Sequence, residues 1–247
     1  MLLKNACAII RLMYKGYANV VRGVYGKGER DMKAFVSKYK HAWILLYAFI
    51  YLPWFLFLEK NVTHYRIVHV ALDDYIPFNE YFVIPYFLWF AYVASAIIYF
   101  FFTNKEDYYK LCRFLFIGMT ISLIICTIWP NGHDLRPAVF ARENIFTDLV
   151  QYLYRTDTPT NVFPSIHVYN SIGVHIAVMN SETLRKKKAV RTGSFILMIS
   201  ICLATVFLKQ HSVMDGFGAV IMSMVMYRMV YRAEHVWNRG KLKEQLN

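Results

Sequence analysis

Charge is scarce in this chain. Asp, Glu, Lys and Arg make up only 18% of its 247 residues, and they sit in blocks between long apolar runs. With 57% of residues apolar and 17% aromatic, it carries more apolar surface than one soluble core of this size buries. That disfavours a soluble globular protein and points to a membrane as solvent, with one membrane domain accounting for the length. Negative charge is scarcest, 16 acidic residues against 28 basic ones, a net +12. Such a balance suits either nucleic acid or anionic lipid. The basic residues flank the apolar runs, so membrane lipid is the expected partner and nucleic acid is not.

Cysteine is equally sparse. Cys7, Cys112, Cys126 and Cys202 lack metal-ligand spacing, and the last two lie inside apolar runs, so free thiols are expected in a fold without disulfides. No carboxylate cluster suggests a metal, and neither metal nor cofactor is expected. Internal repeats and low-complexity tracts are missing. Arg11 and Lys15 interrupt the apolar stretch after Lys4 before it could form a signal-peptide core, so no cleaved signal is expected.

What is present is a series of apolar runs of membrane-crossing length, about 20 residues. Five stretches approach it: Ala42 to Leu58, Tyr81 to Phe102, Phe114 to Trp129, Val190 to Leu208, and Val213 to Tyr231. A sixth, Pro164 to Met179, is shorter and holds His167 and His175. Including it satisfies the positive-inside rule with an inside N-terminus. Lys105, Lys110 and Arg113, the block Arg185, Lys186, Lys187, Lys188 and Arg191, and a tail with Arg228, Arg232, Arg239, Lys241 and Lys243 then share one side. Lys4, Arg11, Lys15 and Arg22 form one helical stripe, which reads as an interfacial amphipathic helix or, alternatively, as an ordinary basic cytoplasmic helix. The expected fold is all-α, a polytopic six-transmembrane-helix bundle. It comprises an N-terminal segment 1–40, a membrane domain 41–232 and a basic cytoplasmic tail 233–247. Asp73, Asp74, Pro77, Phe78 and Tyr81 read as an approach segment capping the second span.

Three polar segments, Asn131 to Pro137, Phe163 to Val168 and Lys209 to Asp215, lie far apart in sequence but on the same expected outer side. His211 and Asp215, four apart at a helix start, share a face. A carboxylate on one ring nitrogen fixes the tautomer and leaves the other free to attack phosphorus; simple capping or a structural pair is the alternative. Pro164 and Ser165 suit a helix N-terminus that receives phosphate oxygens, with Ser165 as a hydroxyl donor and His167 as general acid. Otherwise Ser165 is only an N-cap and His167 an interfacial polar residue. His175 reads as a packed core histidine. Arg136 offers a planar fork for two phosphate oxygens, unless it is merely solvated or bound to headgroups. Lys209, two residues before His211, is a candidate second cation.

These segments resemble the signature motifs of the type-2 phosphatidic acid phosphatase superfamily, whose integral-membrane members have six helices and an active site at their extracytoplasmic ends. Arg136-Pro137 is similar to the end of its first motif, K-x-x-x-x-x-x-R-P. Pro164-Ser165-Ile166-His167 resembles the second, P-S-G-H, and His211 with Asp215 the third, S-R-x-x-x-x-x-H-x-x-x-D. The chain departs from the pattern where the first lysine is Trp129, the glycine is Ile166, and the Ser-Arg pair falls on Ala204-Thr205, so two cations are missing. In these respects it looks more like the branch containing inositol phosphorylceramide synthases. The resemblance implies His211 as nucleophile, Asp215 as its orienter, His167 as acid then base, and Arg136 and Ser165 as phosphate binders. The expected function is hydrolysis of a lipid-linked phosphate ester through phosphohistidine, in the plasma (inner) membrane with the site on the extracytoplasmic side. A lipid phosphotransferase using the same site is the alternative, as is a non-catalytic relative. A transporter would use such polar groups to line a pathway, but the broken helices and repeats expected of it are not visible.

Overall fold

The computed structural model describes residues 36–232. Two compact units divide the chain, residues 1–46 and 47–247; of the first, residues 36–46 are described and helical. The expected N-terminal interfacial helix and the tail from residue 233 lie outside the described residues.

The second unit is mostly helical: α1 (Ala48–Asn61), α2 (Ala71–Tyr75), α3 (Val83–Thr103), α4 (Lys105–Ile128), α5 (Ile145–Thr156), α6 (Ile166–Asn180), α7 (Lys188–Phe207) and α8 (Val213–Tyr227). Five helical stretches are long and apolar enough to cross a membrane: Val36–Asn61, Glu80–Thr103, Lys105–Ile128, Lys188–Phe207 and Val213–Arg232. They are compatible with an integral membrane protein. The sixth expected span is not among them, because α6 has only 15 residues and reaches about 22 Å, short of a hydrocarbon core of about 30 Å. Hydropathy also misplaces a boundary. α4 starts at Lys105, well before Phe114, because the Asn104 side chain accepts from Glu106 N at 2.9 Å and Asp107 N at 3.2 Å and so nucleates two polar turns ahead of the apolar run.

Helix α6 is the hub, packed against α3, α4, α7 and α8. Its approach to α4 depends on small residues. The Tyr169 ring stacks on Phe114 with centroids 4.8 Å apart and its hydroxyl donates to the Phe114 carbonyl at 2.6 Å. A Cβ on Gly118 would stand 2.1 Å from the Tyr169 ring, and one on Gly173 2.6 Å from Phe114, so glycine is required at both places. Val83, Tyr86, Val150, Leu153, Ala204 and Leu208 form an apolar cluster joining α3, α5 and α7. Meanwhile Ile84, Leu88, Phe195, Ile199, Phe217 and Ile221 face outward, and buried polar residues that include Asp73, Asn131, His133, Ser165, His211 and Asp215 gather at one end of this unit, the reverse of a soluble protein.

That end is tied together by its loops. The short strands β1 (Arg66–Ile67) and β2 (Asn131–Gly132) pair in parallel, and Gly132 bridges Thr160. The fully buried Asn131 accepts on Oδ1 from Val162 N at 2.9 Å and Phe163 N at 2.8 Å, which fixes the segment before α6 to the one after α4. Glu59, at the end of α1, accepts from the Thr158 hydroxyl and from Asn161 Nδ2.

Candidate active site

The turn from α7 to α8 carries the central pair. Lys209 adopts φ 53° just past α7, a left-handed conformation usually taken by glycine and costing a non-glycine residue about 1 kcal/mol. The reversal lets Gln210 N and His211 N both donate to the Thr205 carbonyl at 3.0 Å, and Ser212 caps α8. His211 lies in the turn ahead of the Ser212 cap and not on a face of α8, yet its Nδ1 is 3.2 Å from Asp215 Oδ2, with both residues buried. The same carboxylate oxygen accepts from Ser212 N at 2.9 Å, and the Asp215 carbonyl accepts from Ser165 N at 3.1 Å. An ionised carboxylate only accepts, so Nδ1 carries the proton and Nε2 keeps its lone pair.

The acidic pair before the second span has a different task from the one its position suggests. Asp73, 2% exposed, accepts from the Ser212 hydroxyl at 2.6 Å, from Val213 N at 2.8 Å and from Val70 N at 2.9 Å. It therefore serves the N-terminus of α8, 140 residues away, where the Val213 N–H, the Ser212 hydroxyl and a positive dipole end attract a carboxylate. Asn79, rather than the acidic pair, caps the turn leading into α3, accepting from Tyr81 N. Lys209 is drawn into this anchor, donating from Nζ to the Asp73 carbonyl at 2.6 Å.

From α6 come Ser165 and His167. Ser165 is fully buried and caps the helix, its Oγ accepting from Val168 N at 3.4 Å. The His167 ring lies between Tyr86 and Trp89, at 4.6 and 4.5 Å, and meets the His211 ring edge-on at 5.7 Å. Two imidazoles, one from the first turn of α6 and one from the turn before α8, are thus held around one small volume. His175 packs further along α6, its Nδ1 3.0 Å from Ser194 Oγ.

Arg136 joins the first segment to the third. Its Nη1 donates to the Tyr154 carbonyl at 3.1 Å, and its Nη2 to the Asp157 carbonyl at 2.7 Å and to Gln210 Oε1 at 2.5 Å. The guanidinium also stacks over the Tyr154 ring at 4.4 Å, a cation–π contact. Burial lowers its pKa from the usual arginine value, while Asp157 and Tyr154 oppose the shift; at any ordinary pH it stays charged. Much of its donor capacity is therefore used by the protein, and Nε is buried without a partner among the described residues. His133, 2% exposed, lies beside His211, Arg136 and the Gln210 backbone. Burial first, then the charges of His211 and Arg136, push its pKa down to about 3.

The fold brings His211, Asp215, His167 and Ser165 together and links Arg136 to them through Gln210, whereas Lys209 is turned to Asp73. Asp73, His133 and Gln210 were not expected to take part. The last two lie inside segments whose polarity already marks them, and their burial would have been the signal. Among the described residues no cluster of three or more His, Cys, Asp or Glu is arranged to hold a metal. Comparison of the chain with models of known families, with curated proteins and with solved structures finds no match.

Proposed function

We propose that this protein is a membrane-embedded phosphatase that acts on a lipid-linked phosphate ester through a phosphohistidine. The observation that carries the reading is the buried His211–Asp215 pair, 3.2 Å apart, with a second imidazole, His167, 5.7 Å away. Asp215 orients His211 so that Nε2 attacks phosphorus. As the N–P bond forms and the P–O bond to the lipid alcohol breaks, protonated His167 gives its proton to the departing oxygen. Neutral His167 then takes a proton from water, whose oxygen attacks phosphorus, breaks the N–P bond and releases phosphate with His211 restored. Ser165 and Arg136 bind the phosphate oxygens, and Lys209 contributes its charge from behind Asp73.

The same reading has α6 as a sixth, short crossing and the site on the extracytoplasmic side of the plasma membrane. Support comes from the arrangement of ends. Asp107, at the start of α4, lies beside Ser181 and Glu182 after α6, so the basic segments gather at the end opposite the site, as the positive-inside rule requires.

Purified protein in detergent, given a panel of lipid monophosphates and diphosphates, should release inorganic phosphate, and His211→Ala should abolish the release. No release from any substrate by the wild-type protein overturns the phosphatase. If phosphoryl transfer to an added lipid alcohol then appears and needs His211, the site is a phosphotransferase that excludes water from the second step. If neither occurs, a non-catalytic role is left.

A further inference from the structure

We infer that Gln210, with the His133 ring beside it, supplies neutral hydrogen-bond donors to the phosphoryl oxygens at His211. They stand in for the cations that the chain lacks at Trp129 and Thr205. The inference rests on the phosphohistidine reading and extends it to residues whose types alone would not suggest it.

Arg136 fixes the orientation of the amide. A guanidinium has donors only, so with Nη2 at 2.5 Å the Gln210 amide must turn its oxygen toward Arg136. Its NH2 then faces away from the guanidinium. Gln210 is 3% exposed, and its Nε2 has no acceptor among the described residues. His133 is in the same position. Leu135 N donates to its Nδ1 at 3.3 Å, which places the ring proton on Nε2; that buried atom feels the Gln210 backbone but makes no well-formed hydrogen bond to it. Arg136 Nε is likewise buried and unpaired. Folded proteins leave few buried donors unsatisfied; here three belong to residues that touch one another or adjoin the nucleophile.

A ligand that completes these three donors must bring acceptors, as a phosphoryl group does. Negative charge grows on the equatorial oxygens as the N–P bond forms, and fixed donors favour that state over the ground state. Neutral donors also suit a site that already holds two buried carboxylates and one engaged lysine. They stabilise the developing charge without adding a cation whose positive charge Asp215 or Asp73 would capture.

Gln210→Glu separates this role from a structural one. The carboxylate still accepts from Arg136, so a mere strut would survive and would even be strengthened, whereas the two donors are lost. In purified full-length protein, orthovanadate serves as the phosphoryl probe, with binding followed by calorimetry and turnover by phosphate release. Gln210→Glu should lower vanadate affinity and kcat at least tenfold with an unchanged thermal midpoint. Gln210→Met, which keeps the volume but has no donor, should do the same. Wild-type affinity and kcat in Gln210→Glu would overturn the inference, showing that the amide donors are met by buried water instead, and the phosphohistidine reading would stand. Failure of the wild-type protein both to bind vanadate and to turn over removes the two together.

Discussion

Burial favours the neutral form of His133, and that has a thermodynamic consequence. Its pKa falls from the ordinary 6.5 to about 3 in the folded chain. Between these values the unfolded state binds a proton that the folded state refuses. The stability associated with neutral His133 is therefore complete above pH 6.5 and declines as pH drops toward 3, with a slope of at most about 1.4 kcal/mol per pH unit. His133→Gln keeps a donor and an acceptor but cannot titrate. Its thermal midpoint in detergent should fall less than that of the wild type between pH 7.5 and pH 5, and equal falls would show that His133 is not held neutral. At this scale the sequence is legible where chemistry is local. His211 and Asp215, four apart across the start of α8, meet, and Ser165 after a proline takes the capping position that was the alternative to phosphate binding. Arg136 meets the Tyr154 and Asp157 carbonyls 18 and 21 residues away and the Gln210 amide 74 residues away, and Lys209 meets a carbonyl 136 residues away; a residue type says nothing about which distant oxygen will absorb its charge.

Among the elements, the five long helices were readable because an apolar run of that length has few other fates, while their ends were not, since a cap such as Asn104 extends a helix through residues that hydropathy counts as loop. The short helix α2 shows the same limit. Its acidic residues look like caps for the following span, yet Asp73 holds the first turn of α8. Asp73→Ala would leave Val213 N and the Ser212 hydroxyl without their buried acceptor, at a cost of about 2–3 kcal/mol. Because His211 directly precedes that cap, the damage should reach the site as well as the fold. The expected outcome is a lower thermal midpoint together with reduced kcat and little change in KM, since the variant moves the nucleophile rather than the phosphate binders. Asp73→Glu should restore part of both. A kcat that stays at the wild-type value while stability falls would confine Asp73 to a structural role.

The molecule as a whole has two chemically distinct ends. One gathers the loops that carry Asp73, Arg136, Ser165 and His211, held by contacts such as Ser165 N to the Asp215 carbonyl. The other gathers Lys105 and the basic turn after α6. If α6 did not cross the membrane, the loop with Arg136 and the turn with His211 would lie on opposite sides of it, and no single site could form from them. Its short length is no obstacle to crossing, because a helix enclosed by α3, α4, α7 and α8 meets protein on its flanks, and the surrounding helices, not α6, must match the bilayer. Single cysteines test this arrangement. Glu143 and Lys186 are both exposed, on the loop before α5 and the turn after α6, and Cys112 and Cys126 are buried enough to contribute little background. With Cys7 and Cys202 replaced by serine, a membrane-impermeant maleimide added to intact cells should label Glu143→Cys at once and Lys186→Cys only after permeabilisation. Labelling of both from the same side would leave α6 as a helix that enters without crossing. The basic turn would then share a side with the Arg136 loop, with the His211 turn across α7 from both, and the assignment of the site to the extracytoplasmic face would fall with the sixth crossing.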